Sequence, residues 1–229
     1  MESPRPSDFP ELTFEETRVL GCLLEKERTT PEYYPLTQNS LASACNQKSS
    51  RDPVTEFDDG VVDQALDGLR EKGLVMRVAV AGSRVPKYKH TIADILPDLD
   101  DGTTAVLCVL LLRGQQTAGE IKTRTERMHH FEELTHAQTA VDALIEQGLA
   151  KEVPAGGGRR VTTYVQLLGA MADGRAAEAP VEVAAVPETA SESLPAAPDG
   201  DLAAEVEILR DELKKLRADF EEFRMKFED

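Results

Sequence analysis

Two stretches decide the fold: Ala65 to Val78, ALDGLREKGLVMRV, and Ala140 to Val153, AVDALIEQGLAKEV, which stand 75 positions apart. In the first, Ala65, Leu66 and Leu69 share a helical spacing that runs out at Gly73 and gives way to Leu74 and Val78. In the second, Ala140, Val141 and Leu144 run to Gly148, Leu149 and Val153 in the same order. A glycine just past the last periodic residue is a helix stop, and the short apolar stretch after it suits a strand. Upstream, Val19, Leu20, Leu23 and Leu24 recur 87 positions later as Val106, Leu107, Leu110 and Leu111. The element order is shared while the loop lengths differ, which predicts a duplicated fold.

Each copy reads alike. Thr13 with Glu16 forms a capping box ahead of Phe14, Leu20, Leu23, Leu24 and Glu27; Thr37 opens a second helix through Asn46; Val62 to Leu69 place one apolar face on a third. Leu74 to Ala79, a turn at Gly82-Ser83, and Val85 to His90 then read as a hairpin. The second copy gives helices over Thr104 to Arg113, Thr117 to Arg127 and Thr135 to Gln147, and a hairpin across Gly156-Gly157-Gly158. Three helices and a hairpin, twice, predict a mainly α fold with small β wings: a tandem winged helix-turn-helix body. The run Ala105 to Leu112 is apolar on every side, which suits a helix buried between the two modules or against another subunit.

The remaining 60 or so residues divide in two. Residues 169–200 are rich in Ala, Pro and Glu and bury too little apolar area to offset ordering entropy, so a disordered linker is expected there. From 201 to 229, Leu202, Val206, Leu209, Leu213, Leu216, Phe220, Phe223 and Phe227 recur in steps of 4 and 3, an unbroken heptad seam. In a parallel pair Glu205 meets Arg210, Glu212 meets Arg217 and Asp219 meets Arg224, all attractive. An antiparallel pair sets like charges together at a cost on the order of several tenths of a kcal/mol per contact. The segment therefore predicts a parallel coiled coil and a homodimer, the Phe residues leaving a trimer open; the plainer alternative is an amphipathic helix folded back on the body. The expected domains are thus 1–97, 98–168, the linker and the coil.

Of 229 residues, 41% are apolar, 30% charged and 5% aromatic, with no Trp. No apolar run reaches the roughly 18 residues of a membrane span, and Met1 to Leu12 lacks a basic start and a greasy stretch, so neither a membrane protein nor an exported one is expected. Cys22, Cys45 and Cys108 are odd in number and far apart, which points to a reducing compartment and a cytoplasmic protein. The net charge of −16 divides as −4 over residues 1–97, −3 over 98–168 and −9 over 169–229. Screening over about 8 Å keeps the acidic tail from forbidding an anionic partner elsewhere.

Candidate chemistry is sparse. The third helix of the first copy presents Asp58, Asp59, Asp63, Asp67 and Glu71, a poor surface for phosphate; Asp58 and Asp59 suit a helix N-terminus better than a catalytic pair. Cations gather elsewhere: Lys48 and Arg51 before that helix; Arg84, Lys87 and Lys89 at the first wing; Lys122 and Arg124 on the second copy's second helix; Arg159 and Arg160 at its wing tip. Such residues grip phosphates without reading bases, or are scattered solvated charge. His136 and Gln138, on the second copy's third helix, have the size and polarity to reach base edges. His129, His130 and His136 lack metal-ligand spacing, Gly156 to Arg160 lacks the Lys-Ser/Thr of a phosphate loop, and no cofactor or catalytic set is read.

Leu24-Glu25-Lys26, Thr30 to Thr37 (TPEYYPLT), Ala44 to Ser49 (ACNQKS) and Arg51-Asp52-Pro53-Val54 resemble the signature of the YceH-like family of uncharacterised bacterial proteins. The resemblance covers about residues 12–168 and implies a tandem winged-helix body and a bacterial source, with no reaction, substrate or cofactor. In a DNA reader the turn carrying Gln47, Lys48, Ser49 and Arg51 lies near the backbone; in a scaffold it is a rigid hydrogen-bonded loop. The expected function is non-enzymatic binding of double-stranded DNA, in regulation. The alternative is a scaffold whose acidic third helix takes a basic protein partner.

Overall fold

The computed structural model describes residues 9–80, 85–155 and 161–170. Seven α-helices and five short strands follow one another as α1 (Phe14–Thr29), β1 (Leu36–Thr37), α2 (Gln38–Cys45), α3 (Asp59–Glu71), β2 (Val75–Val78), β3 (Lys87–His90), α4 (Ile92–Ile95), α5 (Asp101–Arg113), α6 (Ala118–Thr125), α7 (Leu134–Glu146), β4 (Ala150–Val153) and β5 (Thr163–Gln166). The described residues are mainly helical with two small antiparallel sheets, β1-β3-β2 and β4-β5.

Local chemistry explains most boundaries. Thr13 and Glu16 make the reciprocal capping box of α1, and Thr117 and Glu120 make another for α6; Thr37, Asp58 and Asp100 cap α2, α3 and α5 through their side-chain oxygens. The helices α3 and α7 end in the same way. Gly73 (φ 71°) and Gly148 (φ 69°) occupy the left-handed region that closes a helix. Around them the N–H groups of Lys72, Gly73 and Leu74 reach the carbonyls of Gly68, Arg70 and Leu69, as those of Gln147, Gly148 and Leu149 reach Ala143, Ile145 and Leu144.

The repeat extends into the sheets. Leu36 and Thr37 pair with Tyr88 and Lys87, and in the second half Gln116 pairs with Tyr164, each time just before the Thr that caps the next helix. The duplication expected from sequence is thus present in helix order, helix ends and strand pairing. Not anticipated were the two-residue β1, a 3-10 turn over Pro31–Tyr33 and the single turn α4. All three are too short to carry a periodic signal.

At the centre α1 and α5 lie antiparallel. Arg28 at the end of α1 bonds Asp101 at the start of α5 (2.9 Å), while Gly21 lets α1 approach Leu111 and Leu112. Residues Gly102 to Leu112 are all buried, which accounts for the helix that is apolar on every side: it sits between the two halves. One continuous apolar cluster joins α1, α2 and α3 to α5 and α7. Leu12 closes the body by bonding Leu168 and Ala170, so Gly169 and Ala170 belong to it. Among the described residues no helix is long and apolar enough to cross a membrane. The hairpin turns at Gly82-Ser83 and Gly156 to Gly158, the rest of the linker and the whole heptad segment, with Leu202 to Phe227, lie outside the described residues.

Candidate nucleic-acid interface

The turn between α2 and α3 is built inward. Arg18, fully buried on α1, donates to the carbonyls of Cys45 (3.3 Å) and Pro53 (2.8 Å) and to Thr55 Oγ1 (3.3 Å), and its guanidinium lies 5.3 Å from the Phe14 ring centroid. Desolvation lowers the Arg18 pKa. Asn46 bridges the turn, its Nδ2 donating to the Phe57 carbonyl and its Oδ1 accepting from the Phe57 N–H, both at 2.8 Å.

Arg51 departs from expectation. Its side chain has no exposed surface; Nε donates to the Ala44 carbonyl (3.0 Å), Nη1 to Ser50 O (2.8 Å), and the guanidinium meets both Glu25 oxygens at 3.2 and 2.6 Å. Burial opposes its charge, but the Cys22 sulfur and the Glu25 carboxylate hold its pKa above the ordinary value. Arg51 thus does not face outward as a phosphate donor would, because its guanidinium is enclosed and Nε, Nη1 and Nη2 all donate within the fold. Gln47 beside it accepts from Lys26 Nζ at 3.4 Å. The turn is a hydrogen-bonded loop whose exposed residues include Lys48, 3.5 Å from Glu56, and Ser49.

The other candidates are scattered. Lys87 and Lys89 alternate along β3 with the buried Tyr88, opposite Val78 and Met76, on the face of the hairpin turned from the core. The next residue, His90, faces inward to Glu27 on α1 (2.8 Å), and its backbone N–H donates to Tyr34 Oη (2.9 Å). The hydrogen bond from His90 leads the causes that hold the Glu27 carboxyl below its usual range, and burial pushes Tyr34 up. Arg84, Arg159 and Arg160 lie outside the described residues.

On the second half, α7 exposes Thr135, His136 and Thr139, while Gln138 is half-buried. Gln138 is held at both ends: its Oε1 accepts from Tyr164 Oη (3.1 Å) and its Nε2 donates to Asp142 (2.9 Å). His136 and His129 line an open cleft of about 570 Å³ with Phe131, which precedes α7, and with Asp100, the cap of α5. On α6, Lys122 is half-buried and Arg124 pairs with Glu120 at 3.2 Å.

A family model described as a protein of unknown function, DUF480, matches residues 12–164. The chain belongs to the DUF480 family. Relatives carry the name UPF0502 protein. That of Pelobacter propionicus (strain DSM 2379 / NBRC 103807 / OttBd1) is 44% identical over 221 residues, covering 93% of this chain and 96% of the relative. Those of Shewanella baltica (strain OS155 / ATCC BAA-1091) and Shewanella sp. (strain MR-4) are 46% and 40% identical, covering 70% and 90% of this chain and 74% and 95% of theirs.

In this DUF480 member, the sequence motifs that carried the family resemblance map onto the inner network: Glu25, Cys45, Asn46, Arg51 and Pro53 all take part in it. Sequence reasoning missed Arg113. It closes the apolar run of α5 and reads as a helix end, yet it lines two clefts, one of them shared with Arg124 and Arg127.

Proposed function

We propose that the protein is a non-enzymatic tandem winged-helix protein that binds double-stranded DNA through its second half and self-associates through a parallel coiled coil over residues 201–229. The observation that carries this reading is the contrast between the two third helices. On α3 the exposed residues include Asp59, Asp63, Asp67 and Glu71, whereas α7 begins with the exposed polar residues Thr135, His136 and Thr139, and α6 beside it carries Lys122 and Arg124. A surface of short polar groups flanked by cations suits base edges between phosphates.

Fluorescence anisotropy on the full chain with random-sequence duplex at about 50 and 200 mM salt tests it, since phosphate contacts give a steep salt slope. Binding that weakens severalfold between the two, and is lost in K122E/R124E, is the expected result; absence of binding at the lower salt removes the reading. R84E/K87E/K89E reports whether the first hairpin shares the grip. The acidic face of α3 favours a second reading, a scaffold for a basic protein partner. Its signature is D63K/D67K abolishing recovery of one basic partner from cells while duplex binding stays absent.

A further inference from the structure

Three arginines converge where α1, α5 and α6 meet. Arg113 closes α5, Arg124 stands in the last turn of α6, and Arg127 follows it; together they rim a cleft of about 40 Å³ floored by Val109, Leu112 and Met128. One arginine near a helix end complements the helix dipole and needs no further role. Three around one cleft do not reduce to that, because each raises the cost of charging the others.

Of the acids nearby, Glu120 pairs with Arg124 and Glu25 is shared with Arg51 and Lys26. Glu25 lines the cleft, but its carboxylate is engaged by Arg51 at 2.6 and 3.2 Å and by Lys26 at 3.2 Å. Asp52 borders Arg113 on its other side, in a second cleft, with no ion pair between them within 4.0 Å. Arg124 meets Glu120, whose other oxygen closes the capping box of α6. Burial, and then the charges of Arg124 and Arg51, hold the Arg113 pKa below its ordinary value, while Glu25 and Asp52 act the other way. In a chain carrying 42 acids against 26 bases, a concavity lined by three arginines is unexpected as mere surface.

We propose that Arg113, Arg124 and Arg127 form a binding site for the phosphate group of a small molecule, with the apolar floor against the body of the ligand. Guanidinium forks match oxyanion geometry through paired N–H donors. The cavity exceeds the roughly 10–15 Å³ that one water needs, and its enclosure by three helices suits a compact anion better than a duplex backbone. The inference does not rest on DNA binding, although the site shares Arg124 with the surface proposed to take DNA.

Isothermal titration of the full chain with inorganic phosphate and with phenyl phosphate, in chloride buffer of matched ionic strength, tests it. Saturable binding to both is expected, tighter for phenyl phosphate, and weakened about tenfold or more in R113Q and R127Q, while R77Q, an exposed arginine on β2, binds as the parent does. Equal affinity for the two assigns the site to free phosphate. Circular dichroism checks that each variant is folded, and R113K, which keeps the charge, retains part of the binding. The proposal is overturned if neither titration saturates, or if both arginine variants bind as the parent does. A flat phosphate titration with duplex binding weakened by R113Q makes the cleft a DNA backbone contact instead. Saturation by phosphate with no duplex binding leaves this site standing and removes the DNA reading.

Discussion

The pair Glu25 and Arg51 is the most consequential residue-level feature, because the guanidinium is wholly enclosed and its partner nearly so. Deleting one member strands a buried charge, so Arg51→Ala is expected to cost about 3–5 kcal/mol, with Glu25→Gln/Arg51→Met costing less than Arg51→Ala alone. Urea unfolding monitored by circular dichroism measures both; a loss below about 1 kcal/mol for Arg51→Ala contradicts the pairing. The pH dependence has a definite sign. Desolvation alone would raise the Glu25 pKa, but hydrogen bonding and charge from Arg51, with Lys26, hold it below 4.5. A carboxylate depressed on folding contributes stability above its unfolded pKa and loses it as pH falls through the folded value. Glu25→Gln therefore flattens that part of the acid limb, and an unchanged limb would show that Glu25 is not the group responsible. Sequence could place Arg51 in a polar turn, but burial and the Glu25 contact, 26 positions away, come only from the fold.

At the scale of elements, the decisive contact is α1 against α5. A Cβ on Gly21 would stand 2.9 Å from Leu112 Cδ2 and 3.2 Å from Leu111 Cβ, and Cys108 Sγ donates to the Gly21 carbonyl at 3.3 Å. Gly21→Val is expected to destabilise by about 1–3 kcal/mol, since the overpacked side chain must push the two helices apart. Leu112→Ala in that background should recover part of the loss, and strictly additive losses in a double-mutant cycle would disprove the close approach. The helices themselves were legible beforehand, because caps, glycine stops and the apolar period are local signals at Thr13, Thr37, Gly73 and Gly148. The strand β1 and the Gln116 to Tyr164 bridge were not, because two residues carry no period and their partners lie about 50 positions away.

The described residues form one continuous core under two similar halves. Light scattering on the full chain should give the mass of two subunits, about 50 kDa from a 25.1 kDa chain, falling toward one after deletion beyond Gly200. R210E/R217E/R224E should weaken the dimer while leaving the body's circular dichroism unchanged, because the g-to-e pairs turn repulsive. An unaltered mass would rule out that register. The acidic excess lies mostly after residue 168, so full-length and truncated chains should also differ in duplex affinity, the truncated one binding more tightly at low salt.

Sequence by itself determined the duplication, the caps and stops of the longer helices, and the apolar identity of α5, because each depends on residues within a few turns of one another. Tertiary structure decided what those elements face. It placed α5 between the halves, withdrew Arg51 from the surface, tied Gln138 to Tyr164 and gathered Arg113 with Arg124 and Arg127. Burial and charge partnership are properties of distant chain segments brought into contact, and no local pattern encodes which segment arrives.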